Sequence, residues 1–250
     1  MPAVNVKTLV LCYHSVSDDW PHALAVTPRA FERQLVSLLR RGFRPVPHDR
    51  LLTGRRRGLY VTFDDAYKDV LHALPVLDRL RLPATVFAST SFADDGGRPL
   101  AVPELADQAA AFPERLATMS WDDLRELVAR GFDVGSHTVS HPHLPQLSDE
   151  ELGRELGESR ARVEDELGRP CRLLAYPYGE HDARVQSAAR RSGYDAAFAL
   201  WAGSSPANVY ALPRIDFYRR DSLLRATLKS SFLKPHASAL LSRLRARSAA

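Results

Sequence analysis

Short apolar runs alternate with amphipathic segments of helical spacing along most of this chain. In one of the helical segments, Phe31, Leu35 and Leu38 recur every three or four residues, which places them on one face. The apolar runs of strand length lie at 6–12, 59–63, 84–88, 132–136, 171–176, 196–200 and 212–217. This alternation predicts seven or eight parallel strands with the helices packed outside them.

Capping signals mark where several of the helices begin. Thr27 precedes Pro28, a pair typical of an N-cap followed by the first helical residue. Ser120 stands before another amphipathic segment. Ser148 with Glu151 three residues later has the spacing of a capping box. These positions predict helices that begin at residues 28, 121 and 149.

One segment, residues 92–118, interrupts the alternation. It contains the pair Gly96-Gly97 and three prolines, at 99, 103 and 113. Glycine and proline at this density favour turns over long helices or strands. We predict an inserted loop that contains some helix.

The length and charge distribution predict one catalytic domain with a basic tail. A chain of 250 residues suits a single α/β barrel, which we assign to residues 1–218. Residues 219–250 hold eight Lys or Arg side chains and one acid, so the net charge of +4 comes from the tail. We expect this tail to be helical and to pack on the barrel or extend from it. It could contact anionic lipid, or it could be a solvated end, and no nucleic acid partner is expected.

The N-terminal residues and the cysteines suggest a compartment. The first residues lack the order of basic, apolar and small regions that defines a signal peptide, and no apolar run reaches membrane-spanning length. The sequence therefore predicts a cytoplasmic protein, with membrane-peripheral contact possible through the tail. Cys12 and Cys171 lie in apolar runs and are expected to be buried and inert.

Two polar motifs follow predicted strands. Asp64 and Asp65 come directly after residues 59–63, and His137 and His141 follow the strand at 132–136. One carboxylate and two imidazoles can hold a divalent ion, and the second carboxylate can take a proton from water. Taken singly, the acids could be a helix cap and the histidines polar loop residues. On a helical turn the two imidazoles would share a face.

A third motif closes another strand at Pro177, Tyr178 and Gly179. Glycine allows close approach of the backbone to a ligand, and such a turn can aim the Tyr178 N–H at an oxyanion. An ordinary turn is the alternative. All three motifs lie at the carboxyl ends of strands, where barrel enzymes carry their active sites.

Together these motifs resemble those of the polysaccharide deacetylases, carbohydrate esterase family 4. The matching segments are 62–65, 136–142 and 176–179, and segments 13–16 and 212–215 resemble the branch that acts on bacterial exopolysaccharide and related glycans. The resemblance implies a distorted (β/α)7 barrel in a single domain. It also implies a metal-dependent hydrolase that removes N-acetyl groups from the amino sugars of a poly- or oligosaccharide.

The same resemblance implies roles for individual residues. Asp65, His137 and His141 would bind the metal, with Zn²⁺ the first expectation and Co²⁺, Ni²⁺ or Mn²⁺ the alternatives. Asp64 would be the general base that activates water. The backbone N–H of Tyr178 would donate to the oxyanion.

Two departures from the family pattern leave roles to be reassigned. Many members have Arg at the position of Ala175, and we hypothesise that Arg214 reaches in from the last strand instead. A surface or barrel-bottom arginine is the alternative. The Leu-x-His motif that supplies the general acid in many relatives is missing. His14 is the first candidate for that acid, with His143 and His181 as alternatives.

Substrate contacts and competing functions complete the sequence predictions. Pro177, Tyr178 and Trp201 are predicted to contact the sugar, since aromatic rings pack on flat apolar surfaces. An O-acetyl esterase or another amide hydrolase would use the same site. A non-catalytic barrel that binds glycan is the third possibility, and the retained base and all three metal ligands argue against it.

Overall fold

Seven parallel strands form a closed barrel in the computed structural model, which describes residues 8–53, 57–100, 102–200, 205 and 207–221. The strands are β1 (Thr8–Tyr13), β2 (Gly58–Phe63), β3 (Ala84–Ala88), β4 (Asp133–Ser136), β5 (Leu173–Ala175), β6 (Ala196–Leu200) and β7 (Leu212–Asp216). Each pairs with the next, and β1 closes the ring by pairing with both β2 and β7. The pairing of β4 with β5 rests on one register pair, Ser136 with Leu174. The predicted distorted (β/α)7 barrel is confirmed.

Seven α-helices connect the strands within the described residues. They are α1 (Pro28–Arg40), α2 (Leu74–Leu80), α3 (Thr90–Asp94), α4 (Ala106–Ala111), α5 (Trp121–Ala129), α6 (Asp149–Leu167) and α7 (Ala183–Arg191). The predicted caps are present. The Thr27 side chain accepts a hydrogen bond from the Ala30 N–H, and capping boxes begin α5 at Ser120 and α6 at Ser148.

Three short features complete the chain between the barrel strands. The stretch through Val70, Leu74 and Leu77, where the sequence predicts a helix interrupted or started at Pro75, is a 3-10 helix at Lys68–Ala73 followed by α2, because Pro75 fits only the first turn of an α-helix. Two-residue strands that the apolar pattern did not predict pair Ser15–Val16 with Ala25–Val26. A further short strand, Arg44–Pro45, pairs with β2 at the barrel rim.

The described residues of the inserted segment, 92–100 and 102–118, pack against the barrel. Their helical content is the end of α3, α4 and two 3-10 turns, as the mixed prediction of loop and helix implied. The Leu100 N–H bonds the Leu116 carbonyl at 2.9 Å, and the Met119 N–H bonds the Ala66 carbonyl at 2.8 Å. A separate apolar cluster lies beneath the segment: Trp20, Ala25, Tyr67, Phe92, Leu100, Val102, Leu105 and Leu116.

Alternate strand residues point into the barrel, as the period of two requires. The rings of Phe87 and Phe198 lie 5.7 Å apart although their strands, β3 and β6, are not neighbours, so they meet across the interior. The cluster they belong to includes Val10, Tyr60, Leu173, Ala196 and Leu212. Two residues further along β1, β2 and β7 come Cys12, Thr62 and Arg214. The interior therefore changes from apolar to polar toward the carboxyl ends of the strands.

Little of the predicted tail falls in the described part of the chain. Arg219 donates to the Trp20 carbonyl at 2.9 Å and the Ser17 carbonyl at 3.1 Å, so the first tail residue packs on the barrel rim. The helix predicted for the remainder, like the lipid contact, lies outside the described residues. Among the residues that are described, no helix combines the length and apolar character needed to cross a bilayer.

Candidate active site

Three potential ligand side chains meet at the carboxyl end of the barrel. Asp65 follows β2, and His137 and His141 follow β4. Asp65 Oδ1 lies 3.4 Å from His137 Nε2 and 3.2 Å from His141 Nε2. The three ligand atoms all lie within 4.8 Å of one another, and all three residues are buried.

The chemistry of this cluster fits a divalent cation. Asp65 Oδ1 is buried without a hydrogen-bond partner among the described residues. His137 Nδ1 lies 2.8 Å from the Ala175 carbonyl, and because a carbonyl only accepts, Nδ1 carries the proton. In the neutral imidazole, the lone pair is therefore on His137 Nε2, which faces the Asp65 carboxylate. A cation between the three atoms would satisfy both groups, and two imidazoles with one carboxylate suit Zn²⁺ and several related metals.

The segment between the two histidines is a tight turn rather than a helical one. Thr138 and His141 have φ of 71° and 62°, in the left-handed region that costs a non-glycine residue roughly 1–2 kcal/mol. The His141 N–H donates to Thr138 Oγ1 at 3.1 Å. The helical geometry considered for this pair is therefore wrong. The imidazoles converge because the chain reverses between them.

Asp64 lies beside the cluster in a fork formed by Arg214. Arg214 Nη1 donates to Asp64 Oδ1 at 2.6 Å, and Nη2 donates to Oδ2 at 2.7 Å. Cys12 Sγ lies 3.4 Å from Oδ2 as a further donor. Burial raises the pKa of the Asp64 carboxyl, but the charge and hydrogen bonds of Arg214, together with the nearby His137 and His14, outweigh burial, and the net pKa is lowered. Asp64 is therefore held as a carboxylate.

Arg214 enters the site through the barrel interior. Its side chain is fully buried, lies over the rings of Phe87 and Phe198, and donates to Thr62 Oγ1 at 3.2 Å. The structure thus places Arg214 against Asp64 as hypothesised, and the surface or barrel-bottom alternative is excluded. Ala175 has no side chain that could do this, but its carbonyl orients His137.

The sequence predicts a buried, inert Cys12, and the structure adds a contact between its thiol and the Asp64 carboxylate. Cys12 is fully buried next to Asp64, and burial raises the pKa of its thiol well above the usual range. The sequence could have predicted this contact only by assigning alternate residues of β1 to the barrel interior and by aligning β1 with β2. Cys171 is also buried, and burial raises its pKa to about 12.

The third motif forms a turn at the cavity wall. Tyr178 has φ of 59° and ψ of 1°, and a Cβ built on Gly179 would lie 2.6 Å from Leu200 Cγ and 2.9 Å from the Leu200 nitrogen. Only glycine therefore fits at residue 179. Pro177 is buried within the turn and is not part of the cavity wall, so its substrate contact stays a prediction.

The Tyr178 side chain is fixed from several sides. Its hydroxyl donates to Glu104 Oε2 at 3.1 Å, and its ring stacks on His143 with centroids 4.1 Å apart. The His141 ring meets it edge-on at 4.7 Å. Burial, followed by the negative charge of Glu104, raises the pKa of the Tyr178 hydroxyl. The phenol therefore stays neutral and acts as a donor.

The three histidines considered as general acid occupy different surroundings. His14 lines the cavity, is half-buried, and its Nδ1 has no hydrogen-bond partner among the described residues. His143 bonds Glu180 at 2.8 Å and Glu104 at 3.3 Å, and the Glu180 contact raises its pKa. His181 stacks on Tyr176 and does not line the cavity. Of the three, only His14 both faces the cavity and is free of a carboxylate partner in the described residues.

A cavity of about 300 Å³ lies over these groups. Its outer wall comes from the inserted segment through Leu100, Val102, Glu104 and Leu105, with Leu24 and Tyr218 from other loops and Leu200 from the end of β6. The sequence pattern marked the insertion but not its position over the site. Trp201, predicted to contact substrate, lies outside the described residues.

A parallel barrel with carboxylate and imidazole side chains gathered at the carboxyl ends of its strands defines a barrel hydrolase. This chain belongs to the polysaccharide deacetylase family, whose model matches residues 52–197. It is therefore a hydrolase of the class that acts on carbon–nitrogen bonds other than peptide bonds. The predicted family is confirmed.

Individual relatives agree with this assignment. YxkH of Bacillus subtilis (strain 168), which is named as a polysaccharide deacetylase, is 23% identical over 84% of this chain and 71% of its own. The Streptococcus pyogenes deacetylase PplD, solved in complex with acetate, superposes with a TM-score of 0.75 at 23% identity over 91% of this chain and 99% of its own. IcaB from Ammonifex degensii gives 0.72 at 24% identity over 90% and 97%. The two structures show that the fold is shared.

Proposed function

We propose that this protein removes N-acetyl groups from the amino sugars of a poly- or oligosaccharide. One observation carries the proposal: three ligand side chains converge within 4.8 Å while a fourth group, the Asp64 carboxylate, stands beside them bound to Arg214. Family membership supplies the substrate class, an N-acetylated saccharide. The exopolysaccharide branch remains part of the proposal on the strength of segments 13–16 and 212–215.

Asp65, His137 and His141 would hold one divalent ion, Zn²⁺ as first choice, which when bound polarises the amide carbonyl and lowers the pKa of water. The fit rests on the unpartnered Asp65 Oδ1 and the outward lone pair of His137 Nε2. Both imidazoles lie on a fixed turn, so the site is formed before a ligand enters.

Asp64 acts as the general base that takes the proton from the attacking water. Among the described residues, its Oδ2 accepts from Arg214 and Cys12, whereas its Oδ1 accepts from Arg214 alone. A carboxylate oxygen has two acceptor positions, so Oδ1 keeps one for the water. Arg214 holds the carboxylate in this orientation because the fork leaves it little freedom to rotate.

The remaining steps use the cavity wall. As water adds to the amide carbon, the carbonyl oxygen gains negative charge, and the Tyr178 N–H donates to it. The C–N bond then breaks, acetate leaves, and the amine takes a proton. His14 supplies that proton in this proposal, since it lines the cavity and its Nδ1 is without a partner in the described residues.

Acetate release from a panel of N-acetylated oligosaccharides tests the proposal. We expect release by the purified full chain, loss after treatment with a chelator, and recovery on adding Zn²⁺ or Co²⁺. Acetylated xylan is the ester arm, and Asp64→Asn is the control for the base. Release from xylan alone, or equal release by Asp64→Asn, would overturn the proposed reaction.

A further inference from the structure

The turn that carries the two histidines cannot hold its shape by local preference alone. Thr138 and His141 both adopt the left-handed conformation, which non-glycine residues rarely adopt. Such a turn persists when the surrounding structure determines it. Because His137 and His141 stand at its two ends, the shape of the turn sets the distance between their imidazoles.

One carboxylate binds the apex of this turn. Glu155 Oε2 accepts from the Val139 N–H at 2.7 Å and the Ser140 N–H at 3.0 Å. Glu155 Oε1 accepts from Ser140 Oγ at 2.6 Å. Two successive backbone donors and a hydroxyl thus converge on a single charged acceptor, and hydrogen bonds to a charged acceptor are about twice as strong as neutral ones.

Glu155 is itself carried by a rigid element. It lies in the second turn of α6, which begins with the capping box at Ser148 and buries Leu152 and Leu156 against the barrel. On the opposite side, the first residues of α3 bond the same turn through neutral contacts. The Thr90 N–H bonds the Thr138 carbonyl at 3.1 Å. The turn is therefore held between two helices, and the charged contact comes from α6.

We propose that Glu155 is a positioning residue for the metal centre. It fixes the 138–141 turn so that His141 Nε2 faces Asp65 Oδ1, and it adds negative charge behind the ligands. Without the carboxylate, the Val139 and Ser140 N–H groups lose their acceptor and the strained turn relaxes. His141 then moves away from the ion. The inference rests on the proposed metal centre. Glu155 lies outside all the family motifs identified in the sequence.

Zn²⁺ affinity of the full chain measures this role without any activity assay. The metal-free protein is titrated with Zn²⁺ in competition with a chromophoric chelator, well below its melting temperature. We expect Glu155→Ala to bind Zn²⁺ roughly tenfold more weakly, the low end of the range for direct partners of metal ligands, because Glu155 acts through the turn. Glu155→Gln keeps one carbonyl acceptor for the two N–H groups, so its loss should be smaller.

Glu158→Ala is the matched control, because Glu158 is an exposed acid on the same helix, one turn further on. Its affinity should stay within about twofold of the parent, as for other exposed charges. A Glu155→Ala protein that is folded by circular dichroism and binds Zn²⁺ like the parent would overturn the inference. If that variant does not fold, Glu155→Asp takes its place, because its carboxylate is one methylene too short to reach the Val139 and Ser140 N–H groups, and unchanged affinity then has the same meaning. Failure of the parent to bind any metal would instead refute the proposed metal centre.

Discussion

The buried pair of Arg214 and Asp64 allows the energetics of the site to be measured apart from its chemistry. We consider Arg214→Met, which keeps an apolar chain of similar length, Asp64→Asn, and the double variant. Each single change leaves one charge in the barrel interior without its partner. The double variant removes both charges. The four proteins form a double-mutant cycle in which the coupling between the two side chains is isolated.

The contact distances set the size of the expected effect. The two hydrogen bonds of the fork are 2.6 and 2.7 Å long, and Arg214 has no exposed surface. Charge centres about 4 Å apart at an effective dielectric constant of about 20 attract each other by about 4 kcal/mol. Breaking one side of a buried pair typically costs roughly 3–5 kcal/mol. We therefore expect either single variant to lose about 4 kcal/mol of stability, or roughly 8–16 °C in melting temperature for a domain of this size.

Urea unfolding of the metal-free protein, followed by circular dichroism, provides the measurement. A chelator must be present throughout, because a ligand that binds only the folded state adds its own stabilisation. The double variant should lose much less than the sum of the two single losses, since no unpaired charge remains. Additive losses within about 0.5 kcal/mol, or single losses below about 1 kcal/mol, would refute the reasoning that this pair is coupled in the barrel interior.

Three further predictions concern the chemistry and the turns. Asp64→Asn should lower kcat/KM for acetate release by about 10²–10⁴-fold at saturating Zn²⁺, as for loss of a general base; a variant of near-parental activity would exclude this base. The pKa values of Cys12 and Cys171, raised by burial, should leave both thiols unreactive toward iodoacetamide at about pH 8 in the folded protein and reactive in denaturant, which mass spectrometry would show. Gly179→Ala should lose more than about tenfold in kcat/KM, because the new Cβ meets Leu200 and the positive φ of 71° is strained, and a fully active variant would show that the turn can shift.

The sequence predicted the barrel well because its pattern and its caps agree. Short continuous apolar runs define the strands, and the signals at Thr27, Ser120 and Ser148 define where three helices begin. Pro75 indicated an interruption or a start of the helix near it, and the structure has a 3-10 helix that ends at Ala73 and an α-helix that begins at Leu74. Two-residue strands such as Ser15–Val16 carry too few residues for a periodic signal.

The sequence predicted which residues form the site but only some of the contacts between them. The order of motifs indicated Asp64, Asp65, His137 and His141, because strand ends meet at one edge of a parallel barrel. The reach of Arg214 across 150 positions of sequence could be hypothesised only from the missing arginine at residue 175.

Two features of the site carry no sequence signal of their own. Cys12 meets Asp64 only through the register of β1 on β2, which pairs Cys12 with Thr62. Glu155 looks like any solvent-facing acid on an amphipathic helix until the loop above it is seen. Neither Cys12 nor Glu155 lies in a recognisable motif, because each contacts residues that are not adjacent to it in the sequence.

The closure of the barrel by β7 has a consequence for the order in which the protein matures. β1 and β2 leave the ribosome early, whereas β7, which pairs with β1 and brings Arg214 to Asp64, is made more than a hundred residues later. Until then the acid has no counter-charge and the ring has a gap. Contacts of such long sequence separation form slowly. The barrel of the nascent chain therefore stays open beside β1 until β7 is synthesised. That strand completes both the ring and the charge pair of the active site.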